Sequence, residues 1–365
     1  MGQPLKVGIV GCGTIVAQYL QTFARLTTVQ LVAAGDLDSS RAEAVAFANP
    51  GVRALSVDDL IADDQVDLVL NLTIPAAHAE VGLRATAAGK SVYGEKPLAA
   101  TTAEARTLLD EARSARVRVG CAPDTVLGTG TQTARKAIDD GLIGTPVAAT
   151  ATFATSGHER WHPNPDFYYA PGGGPLLDMG PYYVTSLVTM LGPVVSVVGA
   201  ASRTRSTRTI GSGPRRGELI PVSTDSHVTG VLVHASGVLS TIYMSFDTVA
   251  TTAPRIEIHG ESGSLVVPDP NRFDGDVLLR TATGTNWEAL PVSAGYVGAS
   301  RGFGVHDLTV TPAEEEPRAG GTLAFHVLDV MESLLRSAHE ARTIAVQSRC
   351  ERPPAVPLQT VAPES

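Results

Sequence analysis

The sequence predicts a doubly wound parallel α/β half joined to an α+β half with an open, mostly antiparallel sheet. Three observations carry this. Short apolar strands alternate with helical patterns from Leu5 to about Ala122. After Pro123 the strands show period-two stretches and follow one another across turns. The length, 365 residues, accommodates two domains of ordinary size. The expected boundaries are 1–123, 124–348 and a proline-rich tail at 349–365.

Composition narrows the class. Hydrophobic residues make up 43% and charged residues 18%, as in a well-packed chain rather than a disordered one. A net charge of −9 argues against a general nucleic-acid surface. Cys12, Cys121 and Cys350 have neither paired nor metal-type spacing, which fits a reducing compartment, and no metal site is expected. No basic-then-apolar leader and no apolar run of spanning length is present. A cytoplasmic protein without membrane attachment is expected.

In order, Leu5–Val10 reads as a buried strand ending in Gly11-Cys12-Gly13-Thr14-Ile15, with a helix from about Ile15 to Leu26. Strand, glycine turn and helix form the context of a dinucleotide phosphate site. Gly11 would make the turn, and Gly13 would admit the pyrophosphate above the helix N-terminus at Thr14 and Ile15. The third glycine of that fingerprint is absent, since Val16 and Ala17 stand there. The next strand, Gln30–Gly35, ends in Asp36, about twenty residues on, where a carboxylate binds the adenosine ribose hydroxyls. It also repels a 2′-phosphate, so NAD is favoured; Arg41 downstream keeps NADP open.

A helix at Arg41–Ala48, a short strand at Val52–Ala54, a helix at Val57–Ala62 and a strand at Val66–Leu72 continue the alternation. The last leads to Thr73, Pro75 and His78, expected beside the cofactor; for His78, contact with the cofactor, contact with its neighbouring loop and a plain polar position at a helix N-terminus all stay open. A helix at Ala76–Ala88 stops at Gly89. Strand Ser91–Tyr93 then delivers Gly94-Glu95-Lys96-Pro97. Proline stiffens its own backbone and restricts the preceding residue, so Lys96 is aimed from the carboxyl end of a strand, where ligands sit in such sheets. A surface lysine before a helix-starting proline is the plain alternative. A helix from about Thr101 to Arg116 and a strand at Arg118–Ala122 complete this half.

The second half opens with a helix at Gly128–Gly141 and a strand at Pro146–Ala154. A loop with His158, Trp161, His162, Phe167, Tyr168 and Tyr169 follows; its rings suit sugar faces and its polar groups hydroxyls, unless they pack on one another as a lid or interface. Gly172-Gly173-Gly174 then introduces a helix running to about Leu191. Asp178 and Tyr182, four residues apart, share its face. Strands are expected at Val194–Ser202, Val222–His234, Gly237–Phe246, Arg255–Gly260 and Gly263–Val267. Arg203–Arg216, with five arginines, reads as a solvated mobile loop. Pro268–Arg318 reads as irregular, Thr322–Arg342 as an amphipathic helix, and the tail from Arg352 as a surface segment.

Gly11-Cys12-Gly13, Asp36, Ala88-Gly89-Lys90 with Glu95-Lys96-Pro97, and Gly172-Gly173-Gly174 leading to Asp178-Met179-Gly180-Pro181-Tyr182 together resemble the Gfo/Idh/MocA oxidoreductases. The resemblance runs from Leu5 to about Val346. It implies an N-terminal Rossmann domain, a substrate and oligomerisation domain, a nicotinamide cofactor held partly by Glu95 and Lys96, and a cis Lys96–Pro97 bond. It also implies homodimers or homotetramers built through the C-terminal sheet. Tyr182 stands where many inositol-dehydrogenase-like members have histidine, and Thr185 replaces an acid common in that branch; the tyrosine form is similar to glucose–fructose oxidoreductase.

The implied activity is hydride transfer between NAD(P) and a secondary alcohol or ketone of a sugar, glycoside or polyol. Lys96, Tyr182 and Asp178 would be catalytic, and Lys96, His158, Trp161, His162, Asp178 and Tyr182 would meet the substrate. A free tyrosine has a pKa near ~10, and a neighbouring ammonium lowers it by favouring the phenolate. Two other readings stay open here: a glycosidase using NAD without net redox change, and a non-enzymatic nicotinamide sensor.

Overall fold

The computed structural model describes residues 3–361. The N-terminal alternation forms strands β1 (Leu5–Val10), β2 (Val29–Gly35), β3 (Arg53–Leu55), β4 (Leu68–Asn71), β5 (Ser91–Gly94) and β6 (Val119–Cys121). They pair in the order β3-β2-β1-β4-β5-β6, parallel throughout. The order reverses beside β1, so the crevice for a ligand opens at the carboxyl ends of β1 and β4. Helices α1 (Val16–Phe23), α2 (Ser39–Ala48), α3 (Val57–Ala62), α4 (His78–Ala87) and α5 (Thr102–Ala115) make the connections. Local chemistry sets their ends. Ser56 caps α3, and Thr101 with Glu104 forms a reciprocal capping box on α5. Helix α1 is shorter than its periodicity suggests, because tight turn bonds such as Leu26 N–H to the Phe23 carbonyl replace its last turn. The helix expected at 76–88 is divided: Pro75–Ala77 makes a separate turn before α4.

Residues 124–293 contribute α6 (Thr129–Asp139), β7 (Pro146–Ala154), α7 (Pro175–Leu191), β8 (Val194–Ser202), β9 (Thr207–Thr209), β10 (Leu219–Pro221), β11 (His227–His234), β12 (Leu239–Ser245), β13 (Ile256–Gly260), β14 (Gly263–Val267), β15 (Leu278–Thr281) and β16 (Glu288–Ala289). Then follow β17 (Tyr296–Val297), α8 (Phe303–Val310), α9 (Gly321–Glu340), β18 (Ile344–Ala345) and β19 (Gln359–Thr360). The second sheet runs β16-β15-β14-β13-β7-β12-β11-β8-β18, and only the β12–β7 pair is parallel. Its strands alternate as expected: Ser240, Ile242 and Met244 of β12 are buried, whereas Leu239 and Thr241 are exposed. The strand expected from Val222 begins only at His227, because Ser223 N–H turns to the Tyr169 carbonyl.

The chain forms two compact units. One holds the N-terminus to Thr129, Ala294–Leu328 and the chain from Val356; the other holds Gly130–Ser293 and Asp329–Ala355. The uninterrupted boundaries expected at 123 and 348 therefore do not describe the partition. Within the segment expected to be irregular, 268–318, residues 294–318 are also built in: Tyr296, Phe303, Val305 and Leu308 join Val7, Ile9, Tyr19, Phe23 and Tyr93 in one core. As far as Val361 the tail runs mostly exposed over the surface, as expected, and is pinned there by Val356, buried in the same core, and by the pairing of β19 with β17. The arginine-rich segment is not a mobile loop throughout: it contributes the β9–β10 hairpin, with Arg203, Arg205 and Arg216 exposed as expected. Arg208 is 3% exposed and forms ion pairs with Glu159 and Asp247. Among the described residues, no helix is long and apolar enough to cross a membrane.

Candidate active site

In the first unit, a cleft of about 860 Å³ opens at the ends of β1, β2 and β4. Gly11, Gly13, Thr14, Ile15, Asp36 and Thr73 line it, joined by Arg41, Ser56 and Arg84. Gly11 has φ +96°, and a Cβ there would lie 2.7 Å from the Leu72 carbonyl carbon, so only glycine fits. A Cβ on Gly13 would meet no protein atom within 4 Å, so the space above this residue is open, and Gly13 lines the cleft. One oxygen of Asp36 accepts from Cys12 N–H at 2.7 Å, and the other from Asp38 N–H at 2.9 Å. The acid thus braces the glycine turn and faces the cleft with lone pairs to spare. Burial and the Asp36 charge push the Cys12 thiol up to about 11, so it stays protonated near neutrality. A glycine with open space above it, a helix N-terminus and a carboxylate in one cleft fit the phosphate and ribose of a dinucleotide.

Arg41 pairs with Asp38 at 3.4 Å, and Arg84 with Asp58. The sequence reading missed Arg84, Asp58 and Ser56, all of which line this cleft. Helix periodicity placed them on elements but carried no signal that α3 and α4 bring them to one rim.

The Glu-Lys-Pro loop leaves β5 as expected, with a cis Lys96–Pro97 bond. Glu95 turns inward: it accepts from Tyr19 Oη at 2.9 Å and from Lys96 N–H at 3.2 Å. Burial raises both Tyr19 and Tyr93 well above the ordinary phenol range. Asp124 lies in the same interior, accepts from Gly302 and Gly304 N–H, and is raised to about 6 by desolvation. Glu95 and Lys96 are not among the lining residues of the cleft, and neither is Pro75. His78, expected at the cofactor or its neighbouring loop, is 2% exposed and opens α4. Its ring nitrogens contact the main-chain carbonyls of Pro97, in that loop, and of Thr73.

In the second unit, α7 starts at Pro175, so Asp178 and Tyr182 stand one turn apart on the same helix. The preceding glycines permit close approach: a Cβ on Gly173 would lie 2.4 Å from the Phe167 carbonyl oxygen. This seats the aromatic loop beside the helix. His158 Nε2 is 3.1 Å from Asp178 Oδ2. Its ring is caged by Phe153, Trp161, Tyr168 and Phe246, with centroid separations of 4.6–6.2 Å. His162 packs edge-on to Phe167 and Tyr168, and its Nδ1 accepts from Asn164 N–H. Trp161 is 58% exposed at the loop's outer edge. Behind the loop, Glu159 accepts from Arg208 and from Tyr169, whose phenol is pushed up by burial and that bond. The structure thus groups His158, Asp178 and the Trp161–His162 edge, with Tyr182 buried on the next turn of α7. Sequence reading had no access to the Glu159–Arg208–Asp247 brace, whose members are 39 and 49 residues apart.

Known proteins match both halves. Residues 5–122 match the oxidoreductase family with an NAD-binding Rossmann fold, GFO_IDH_MocA, and residues 131–266 match the GFO/IDH/MocA C-terminal domain. A 1,5-anhydro-D-fructose reductase of Ensifer adhaerens is 30% identical over 285 residues, covering 76% of this chain and 80% of that protein. A D-apiose dehydrogenase of Paraburkholderia graminis is 25% identical, covering 96% of this chain and 92% of that one. The crystal structure of an NAD-binding oxidoreductase from Klebsiella pneumoniae superposes with a TM-score of 0.82 at 24% identity, over 95% of this chain and 100% of that one. The chain belongs to the Gfo/Idh/MocA family of NAD-binding oxidoreductases.

Proposed function

We propose that this oxidoreductase interconverts a secondary alcohol and a ketone on a sugar, glycoside or polyol. Support for that substrate class comes from the names of the reductase and dehydrogenase relatives and from the ring-bearing loop beside α7. The observation that carries the reading is the acid-and-phenol turn of α7, Asp178 then Tyr182, with His158 on the acid.

When bound, NAD supplies the acceptor for the hydride that leaves the carbinol carbon. The chain's own groups do the rest. Tyr182 takes the hydroxyl proton as general base and returns it in the reverse direction. Lys96 contributes an ammonium that stabilises negative charge developing on the substrate oxygen. Asp178, held by His158, accepts from a neighbouring hydroxyl and orients the ring; Trp161 and His162 bound the sugar face. Gly11, Gly13, Thr14 and Ile15 receive the pyrophosphate, and Asp36 the ribose hydroxyls. The acid favours NAD over NADP.

The same reading makes this a cytoplasmic enzyme that joins copies of itself through the open sheet face, with no nucleic-acid partner. Support comes from Val198 of β8 and Leu239 of β12, each nearly half exposed on that sheet. The test is a dehydrogenase screen of monosaccharides, 1,5-anhydro sugars, inositols and glycosides with NAD and NADP, read as NADH or NADPH absorbance. Substrate-dependent reduction of NAD is the expected result. Silence across the whole panel in both directions overturns the substrate class.

A further inference from the structure

His78 opens α4 and is almost wholly buried. Its Nδ1 lies 2.6 Å from the Pro97 carbonyl oxygen, and its Nε2 lies 3.0 Å from the Thr73 carbonyl oxygen. Carbonyls only accept, so each of these bonds needs a ring N–H. A neutral imidazole supplies one, and the doubly protonated ring supplies both. The two carbonyls belong to different parts of the first unit. Pro97 follows the lysine of the Glu-Lys-Pro loop at the end of β5; Thr73 lines the dinucleotide cleft at the end of β4.

A second side chain reinforces the link. Asn71, 2% exposed, donates from Nδ2 to the His78 carbonyl at 3.0 Å. Its Oδ1 accepts from Thr73 Oγ1 at 2.6 Å, and its own carbonyl accepts from Glu95 N–H at 3.0 Å. The cleft rim and the lysine loop are therefore cross-braced at three points: His78 to Pro97, His78 to Thr73, and Asn71 to Glu95. Buried polar groups that are fully partnered rigidify what they connect.

We propose that His78 is a positioning residue, which bolts the Lys96-bearing loop to the rim of the dinucleotide cleft and so fixes where the Lys96 amine stands. The kinetic consequence rests on the catalytic reading of Lys96; the mechanical link does not. His78 touches neither the cleft nor the reacting atoms, and it acts through Lys96.

The test reads Lys96 directly and needs no substrate. The sequence has four lysines, Lys6, Lys90, Lys96 and Lys136. Trace acetylation with acetic anhydride, followed by peptide mass spectrometry, gives the rate at each. The exposed Lys136 and the distant Lys6 serve as internal references. His78→Ala removes both contacts; His78→Gln keeps an amide donor and should retain part of the link. Fluorescence of added NADH reports an intact nucleotide fold. In His78→Ala the Lys96 rate should change by about three- to tenfold, and in His78→Gln by less, with both references unmoved and NADH still bound. An unchanged Lys96 rate in His78→Ala overturns the proposal. So does a shift of Lys6 and Lys136 along with Lys96, which marks general loosening. If His78→Ala does not fold, the Gln variant decides by the same criteria. Full turnover in a separate Lys96→Ala variant would remove the catalytic reading and leave the labelling result standing.

Discussion

His158 Nε2 stands 3.1 Å from Asp178 Oδ2, and that carboxylate precedes Tyr182 by one turn of α7. The imidazole is fixed by four aromatic neighbours, so the acid it holds has little freedom to turn. Residue types that looked in the sequence like independent sugar contacts thus form a graded assembly. In the proposed reaction Asp178 orients the substrate and His158 acts through it.

Asp178→Asn keeps the size and removes the charge. Its kcat/KM for the best substrate from the panel should fall about 100-fold, with NADH affinity within about twofold. His158→Gln should cost less, about five- to tenfold, because it disturbs only the orientation of the acid. Steady-state kinetics beside NADH fluorescence titration checks both. A larger loss for His158→Gln than for Asp178→Asn would reverse the assigned roles.

Lys96→Ala and Tyr182→Phe separate charge from proton transfer. Each should lower kcat by about 10² to 10⁴, whereas NADH binding survives. Single-turnover measurements with excess enzyme read the residual rate. Wild-type turnover in either variant removes that residue from the mechanism.

Asp36→Ser should relax cofactor choice. The serine hydroxyl can still accept from Cys12 N–H, but the negative charge is gone and Arg41 is close by in the same cleft. The ratio of kcat/KM for NADP to that for NAD should rise about 10- to 100-fold. A ratio that does not move places the discrimination elsewhere in the cleft.

Asp124 gives a pH dependence of stability with a definite sign. Desolvation lifts its folded-state value to about 6 from 3.8, against the pull of two glycine N–H groups and Arg301 and with the push of Glu95. Between those values the folded chain binds more protons than the unfolded one, so this group's contribution weakens as pH rises from about 4 to 6 and is constant above. The span corresponds to about 3 kcal/mol. Asp124→Asn should remove that slope. Urea unfolding of both proteins at pH 4.5 and 7.5 checks it: the variant should gain relative to wild type at the higher pH. An equal difference at both pH values contradicts the assignment.

Val198→Asp places a charge on the open face of the nine-stranded sheet, beside Val231 on the neighbouring strand. If copies join there, the variant should elute as a monomer in size-exclusion chromatography with light scattering, while its NADH affinity is unchanged. Wild-type protein that is already monomeric at micromolar concentration would rule out this face as a self-association surface.

Much of this was legible in the order of residues. Gly11, Gly13 and Asp36 report a nucleotide cleft because a tight turn needs glycine and a ribose needs an acceptor, and both needs are met within one strand-helix-strand passage. Lys96 could be singled out because proline stiffens the backbone around it. Asp178 and Tyr182 could be paired because helical spacing is a local property. Arg208 could not be placed. As a sequence it reads as one arginine among five in a solvated loop, yet it is buried between Glu159 and Asp247. His78 could be read toward the cofactor or its neighbouring loop but not assigned between them, and the return of residues 294–318 to the first core had no periodic signal.

The sequence by itself determined the alternation of strands and helices in the first half, which turn must hold glycine, and which side chains are candidates for the chemistry, because those depend on spacing over a few residues. Only the tertiary structure decided that His78 faces two carbonyls, that His158 holds Asp178 and that Tyr296 and Phe303 complete the nucleotide unit's core. Those outcomes depend on how distant segments close on one another, where burial obliges each polar group to find a partner wherever the folded chain supplies one.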